Sequence, residues 1–162
     1  MTIAAPSATR RLTSDRRLQL AILILCIVGI GDAAYLTYVH YSGTKALCSF
    51  GGGCETVQTS HWASLGGVPV PLFGLIGYVA ILMSLAIRHD LARAGAFGLA
   101  LVGFGFSLYL TYREIFTIKA ICQWCVASAA VMTALTVLTA IRLMRDDSLS
   151  GLGAGTGISA GS

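Results

Sequence analysis

The sequence predicts an all-α integral membrane protein, a four-transmembrane-helix bundle, and three observations carry that expectation. Of 162 residues, 56% are hydrophobic and only 11% charged, less than half the ~25% charge of an ordinary soluble domain. Four apolar runs each approach or exceed the ~20 residues that cross a ~30 Å hydrocarbon core at ~1.5 Å per residue. The basic residues also gather at alternate ends of those runs. This composition excludes disorder and an ordinary water-soluble globule. The net charge of +4 is spread over loops and forms no basic face, which excludes a nucleic-acid footprint.

The first run is Leu18 to Tyr38, 21 residues interrupted by one charge, Asp32. It is long for a signal-peptide core and continues through Tyr35, Leu36 and Tyr38, so an uncleaved helix is expected. The second is Pro71 to Ile87, the third Ala94 to Tyr112 and the fourth about Ala120 to Ile141, all without a charge. In lipid each backbone polar group must be satisfied within its own segment, so each run is a helix. Eight of the 11 basic residues (Arg10, Arg11, Arg16, Arg17, Arg88, Arg93, Arg142 and Arg145) fall on one side, against Lys45, Arg113 and Lys119 on the other. The positive-inside rule then puts both termini in the cytoplasm. The loops from about His40 to Val70 and from about Arg113 to Lys119 face outward from the cell membrane. The expected organisation is a basic cytoplasmic N-terminus over 1–17, a membrane domain over 18–144 and a flexible Gly/Ser-rich cytoplasmic tail over 145–162.

A short echo links the two halves. Tyr35-Leu36-Thr37-Tyr38 ends the first run and Tyr109-Leu110-Thr111-Tyr112 the third, and Cys48 and Cys122 each lie ten residues beyond. Either the recurrence is accidental or one helix–loop–helix unit is used twice in the same sense. Both readings place the two cysteine pairs on one side of the membrane.

Cys48 and Cys54 are separated by Ser-Phe-Gly-Gly-Gly, a spacer flexible enough to close a disulfide and to reopen as a hinge at Gly51-Gly52-Gly53. Cys122-Gln123-Trp124-Cys125 is a C-x-x-C at the outer start of the last helix. There the helix macrodipole and Lys119 should favour a thiolate at Cys122. Three readings of the four sulfurs stand: redox-active couples, static disulfides, or a four-cysteine zinc site, which oxidation outside the cytoplasm disfavours. The spacing at a helix start favours the first. Cys26, in mid-span, reads as a small buried apolar residue. Asp32 is costly inside a span and calls for a partner such as Lys45 or a tyrosine hydroxyl, with proton transfer as an alternative role. His40 and His61 lie near the outer interface.

Two loop cysteines six apart, a C-x-x-C opening the last of four spans, and the stretch from Cys54 to Ser60 followed by Trp62, Pro69 and Phe73-Gly74 together resemble the vitamin K epoxide reductase family over about residues 30–140. The resemblance implies a four-helix bundle enclosing a quinone of the menaquinone or ubiquinone type, capped by a short outer-loop half-helix near 55–61. It implies a thiol–quinone oxidoreductase that supports disulfide formation in exported proteins. Cys48, Cys54, Cys122 and Cys125 would be catalytic, and Ser60, Trp62, Phe73 and Phe116 would line the quinone site. No metal is implied. Many bacterial members carry a fused thioredoxin-like domain; only about 20 residues follow the last run here, which implies a separate thioredoxin-like, DsbA-like partner. The positions near Val70 and Ala129 lack the Asn and Tyr of the vertebrate enzymes, which implies simple quinone reduction rather than epoxide reduction. A DsbB-type oxidase has its C-x-x-C in the first outer loop, so the order of the pairs argues against it. A tetraspan scaffold with structural disulfides is the non-enzymatic alternative. A carrier or channel would need polar residues along several spans, and only Asp32 is found.

Overall fold

A computed structural model describes residues 6–48, 53–87 and 89–154. Helix α1 (Pro6–Ser42) opens on a proline, whose missing N–H is no loss at a first helical position. It begins well before the apolar run at Leu18, because the arginine-rich segment ahead of that run is compatible with helix and only needs to lie outside lipid. A short helix α2 (Gly53–Gln58) and a 3-10 turn over His61–Ala63 follow. They occupy the place of the half-helix expected near 55–61.

The chain then forms a small antiparallel hairpin, β1 (Ser64–Leu65) and β2 (Val68–Pro69), in the register Ser64 with Pro69 and Leu65 with Val68. Its two-residue turn is Gly66-Gly67, both at positive φ (58° and 85°), the backbone that a type I′ turn requires. The hairpin delivers the chain directly into α3 (Val70–Ala86), with a proline in its first turn. Helix α4 (Asp90–Arg113) runs on into a π-helical turn, Glu114–Ile118, which Lys119 terminates in the left-handed conformation at φ 53°. Helix α5 (Gln123–Ala154) completes the chain.

The long helices form a ring in which α1 and α4 each pack against both α3 and α5. The core between them contains Ile22, Cys26, Tyr78, Ile81, Met132 and Leu135. Cys26 is fully buried there, as expected of a small apolar residue. Tyr78 is also fully buried, and its ring rests on Gly29, where a Cβ would fall 2.4 Å from the ring edge. Its hydroxyl is bonded to the Ser128 hydroxyl at 2.9 Å, which ties α3 to α5 in mid-bundle. Many large apolar side chains point outward, including Val102, Leu108 and Val137, as a lipid-facing surface requires.

Three helical stretches, Ser14–Ser42, Leu91–Ile118 and Gln123–Arg145, are long and apolar enough to cross a membrane. Helix α3 has 17 residues and rises about 26 Å, a little short of the hydrocarbon core. The expected four long helices are therefore present, and three of them have full spanning length. At one end of the bundle Arg145 reaches Ser14 Oγ at 3.0 Å and Asp15 Oδ1 at 3.4 Å. An exposed pair like this contributes about 0–1 kcal/mol, but it places the start of α1 beside the end of α5. The tail expected to be flexible from 145 instead continues as helix to Ala154: no proline interrupts it, so the backbone ladder of α5 propagates onward. Residues 155–162 and 1–5 lie outside the described residues, as do Arg88, Gly51 and Gly52.

Candidate active site

All four predicted redox cysteines meet at the opposite end of the bundle. Cys48 and Cys54 form a disulfide with Cα atoms 6.1 Å apart. The residue before it is held at both backbone atoms. The Leu47 N–H donates to the Tyr35 hydroxyl (3.0 Å), and the Leu47 carbonyl accepts from Trp124 Nε1 (2.8 Å) and Gln123 Nε2 (3.2 Å). Trp124 in turn packs against Tyr35 with ring centroids 4.8 Å apart. The loop is thus fastened to the first turn of α5, while Lys45 pairs with Glu55 at 2.9 Å and not with Asp32.

Gly53 makes the docking of α2 possible. A Cβ there would lie 2.5 Å from the Ile121 carbonyl oxygen and 2.9 Å from its nitrogen. The third glycine of the expected hinge is therefore a close-approach residue at the start of a helix. Because α2 sits this tightly, Cys54 and Cys122 are both fully buried in one apolar cluster with Val57.

Cys122 is the residue that opens α5: its carbonyl accepts the Val126 N–H at 3.1 Å. Its own N–H is one of the donors that a helix start leaves unpaired, and the Glu114 carboxylate takes it, with Oε2 at 3.2 Å. Glu114 is only 4% exposed. The same residue lines two cavities together with Cys125. Cys122 and Cys125 are free thiols.

The Cys122 thiol is pushed down to about 7, first by the hydrogen bond from the Cys125 thiol and then by the backbone N–H groups of Cys125 and Trp124. Burial and the Glu114 charge oppose the shift without cancelling it. The helix start contributes as expected, whereas Lys119 does not. The sign is that of a group whose charged form is stabilised, so Cys122 is largely thiolate above pH 7 and is protonated as the pH falls below it. In the reduced protein, the thiolate ultraviolet absorbance should titrate with a midpoint near 7 and should disappear in Cys122→Ser. A midpoint unchanged by that substitution would assign the thiolate elsewhere.

Two cavities open beside Cys125. The larger, about 380 Å³, lies between α1, α3, α4 and α5, within the ~300–1,000 Å³ range of small-molecule sites. Its walls are mostly apolar, with Leu36, Phe73, Val102 and Phe106 among them, while Cys125, Glu114, Ser128 and Asp32 supply polar atoms. The smaller, about 50 Å³, shares Cys125, Glu114 and Val70 with the first and is also lined by Ser60 and Trp62.

The candidate quinone-lining residues therefore separate. Phe73 lines the large cavity. Ser60 and Trp62 line the small one, where the Ser60 hydroxyl donates to the Val57 carbonyl at 2.7 Å and Arg113 stacks 3.9 Å from the Trp62 ring centroid. Phe116 lines neither; it is 65% exposed and packs against Tyr112. Its place in the π-helical turn faces it outward, and the same turn carries Glu114 inward. Asp32 lines the large cavity, and its buried oxygens have no hydrogen-bond partner among the described residues.

Sequence reasoning missed Glu114. It reads as one more charge in an outer connection, and only the π-helical continuation of α4 turns it toward the cysteines. The available signal was an acid eight residues before a C-x-x-C, at the end of an apolar helix.

The model of the vitamin K epoxide reductase family matches residues 20–140. Among curated proteins, the thiol-disulfide oxidoreductase LTO1 of Arabidopsis thaliana is 30% identical over 122 residues. That match covers 67% of this chain and 32% of the relative, so the chain spans well under half the length of the curated relative it matches. The family match takes in both cysteine pairs, the short α2 and the helix ring around the cavity, and the chain belongs to the vitamin K epoxide reductase family.

Proposed function

We propose that the chain is a membrane thiol–quinone oxidoreductase. It reoxidises an extracytoplasmic thioredoxin-like, DsbA-like partner and reduces a quinone of the menaquinone or ubiquinone type, so supporting disulfide formation in exported proteins. The single observation that carries this reading is the position of Cys125: it borders the 380 Å³ cavity, while Cys122, three residues before it, is packed on Cys54. One couple thus spans the distance between the loop disulfide and an apolar pocket. The cavity suits the acceptor, since a quinone ring needs apolar walls and a few polar atoms at its oxygens.

In residue terms, a partner thiolate attacks the Cys48–Cys54 disulfide, and the partner's second thiolate resolves the mixed disulfide, releasing an oxidised partner and leaving both loop cysteines as thiols. A loop thiolate, Cys54 by its contact with Cys122, then reduces the Cys122–Cys125 bridge. The arrangement of free Cys122 and Cys125 beside a closed Cys48–Cys54 bond corresponds to the point at which electrons have reached the inner couple. A bound quinone supplies the two-electron acceptor. Ser60 and Trp62 belong to a vestibule beside it and Phe73 to its wall. In this reading all four helices cross the cell membrane, with the spanning domain over 18–144, both termini cytoplasmic and the cysteine end extracytoplasmic. Helix α3 makes the fourth crossing with the help of its hairpin and flanks.

The test uses the purified chain, a reduced DsbA-like protein and a soluble menaquinone or ubiquinone analogue. Quinone absorbance should fall with one quinone consumed per partner disulfide formed. Partner oxidation without quinone loss, or no oxidation with either quinone, would overturn the proposal.

A further inference from the structure

The cavity-facing side of the cysteine site holds a group that thiol exchange alone does not require. Glu114 is buried to 4% exposure, accepts the Cys122 N–H at 3.2 Å, and lines both cavities together with Cys125. Among the described residues, no arginine or lysine forms an ion pair with its carboxylate. An acid placed only to satisfy a helix-start N–H would need a single oxygen and could be neutral. This one also lines both cavities beside Cys125, the redox cysteine that borders the large one.

The stoichiometry of quinone reduction makes such a group useful. When the Cys122–Cys125 bond forms, two sulfurs are oxidised, the Cys125 S–H bond breaks and the acceptor gains two electrons and two protons. Cys122, largely a thiolate above pH 7, brings no proton. Cys125 brings one, at the edge of a mostly apolar cavity.

Resting on the proposed quinone reduction, we propose that Glu114 is a catalytic proton-transfer residue. Its carboxylate takes the proton from Cys125 as the S–S bond forms and delivers it to a quinone oxygen in the cavity; it then takes a second proton from bulk solvent by way of the smaller cavity and delivers that one to the reduced quinone as well. The bond broken is Cys125 S–H and the bond formed is Cys122–Cys125 S–S. The quinone is reduced to the quinol, and the carboxylate ends the cycle as it began.

Glu114→Gln separates this role from a structural one, because glutamine keeps a carbonyl oxygen to accept the Cys122 N–H but cannot take a proton. Single-turnover quinone reduction by the pre-reduced chain should slow about 100-fold in E114Q, the scale of one general-base step, while the variant keeps the Cys48–Cys54 disulfide and wild-type thermal unfolding. Without any quinone, infrared difference spectra between the dithiol and disulfide forms should show a carboxylic-acid carbonyl band in the wild type. That band should be absent from E114Q and present in Asp32→Asn, the other cavity acid. Wild-type turnover with E114Q within twofold of it, or identical infrared differences in the two, would overturn the role of Glu114 and leave the quinone reading standing. A wild type inactive with every quinone would overturn the quinone reading and this role with it. If E114Q does not fold, the wild-type solvent isotope effect decides: slowing by twofold or more in deuterium oxide supports the role, and no slowing overturns it.

Discussion

Cys125→Ala should abolish quinone reduction while leaving the first exchange intact. Of the redox cysteines it is the one that lines the large cavity, so its removal cuts the path between the loop disulfide and the acceptor. Cys48 and Cys54 remain bonded in the variant, and α2 still docks through Gly53. A reduced partner should therefore still open the loop disulfide, and where that disulfide is intact the Cys122 thiolate can attack it at Cys54, forming a Cys54–Cys122 mixed disulfide and releasing Cys48 as a thiol, with no Cys125 thiol to resolve it. The measurement pairs quinone absorbance with non-reducing thiol mapping: quinone loss should fall to background, roughly 10³-fold or more below wild type given that an essential nucleophile is missing, while a Cys54–Cys122 linkage accumulates. Replacing Cys125 removes a half-buried side chain of modest size, so the unfolding temperature should move little. Full turnover in this variant would sink the relay, and lost stability with unchanged turnover is what a scaffold with structural disulfides would give.

The second large effect is expected at Gly53. A valine there projects its Cβ into the backbone of Ile121, 2.5 Å from the carbonyl oxygen, and backbone atoms cannot rotate aside as a side chain end does. Overpacking of this kind costs about 1–3 kcal/mol, or roughly 2–4 °C of unfolding temperature per kcal/mol at this chain length. The functional loss should exceed the stability loss. Displacing α2 moves Cys54 away from Cys122, and a misplacement near 1 Å at a reacting pair can cost about 100-fold in rate. Gly53→Val should therefore pass electrons from the loop couple to the inner couple about 100-fold more slowly, while pre-reduced Cys122 and Cys125 still reduce quinone at the wild-type rate. Equal slowing of both steps would place the damage in the whole bundle and not at the α2 contact.

Much of the architecture was legible because bilayer physics leaves few options. Uninterrupted apolar runs had to become helices, and their order placed both cysteine pairs at one end. The features that escaped were set by contacts between segments far apart in sequence. The start of α1 at Pro6 and the extension of α5 to Ala154 lie outside the apolar runs, where hydropathy gives no boundary. Gly66-Gly67 marks a hairpin turn in plain view, yet a two-residue strand on each side is too short for alternation to register. Phe116 looked like a wall residue because aromatic side chains near a C-x-x-C suit a ring, but the π-helical turn rotates it outward and brings Glu114 inward. That one extra residue per turn is invisible to a 3.6-residue period. Asp32 was readable as an expensive intramembrane acid, but not its surroundings, since Lys45 is committed to Glu55 and Ser128 to Tyr78.

The clasp of Arg145 onto Ser14 and Asp15 has a consequence of parity. It fixes the outgoing end of α5 beside the incoming end of α1, a full bundle length away from the sulfur chemistry. In the proposed four-span topology, any module tethered downstream of α5 would emerge in the compartment opposite to the one where Cys48 and Cys54 receive electrons, and could serve them only by recrossing the bilayer an odd number of times. A free-diffusing donor has no such constraint: it approaches from the cysteine side, where Leu47 is 76% exposed directly beside the disulfide it would open.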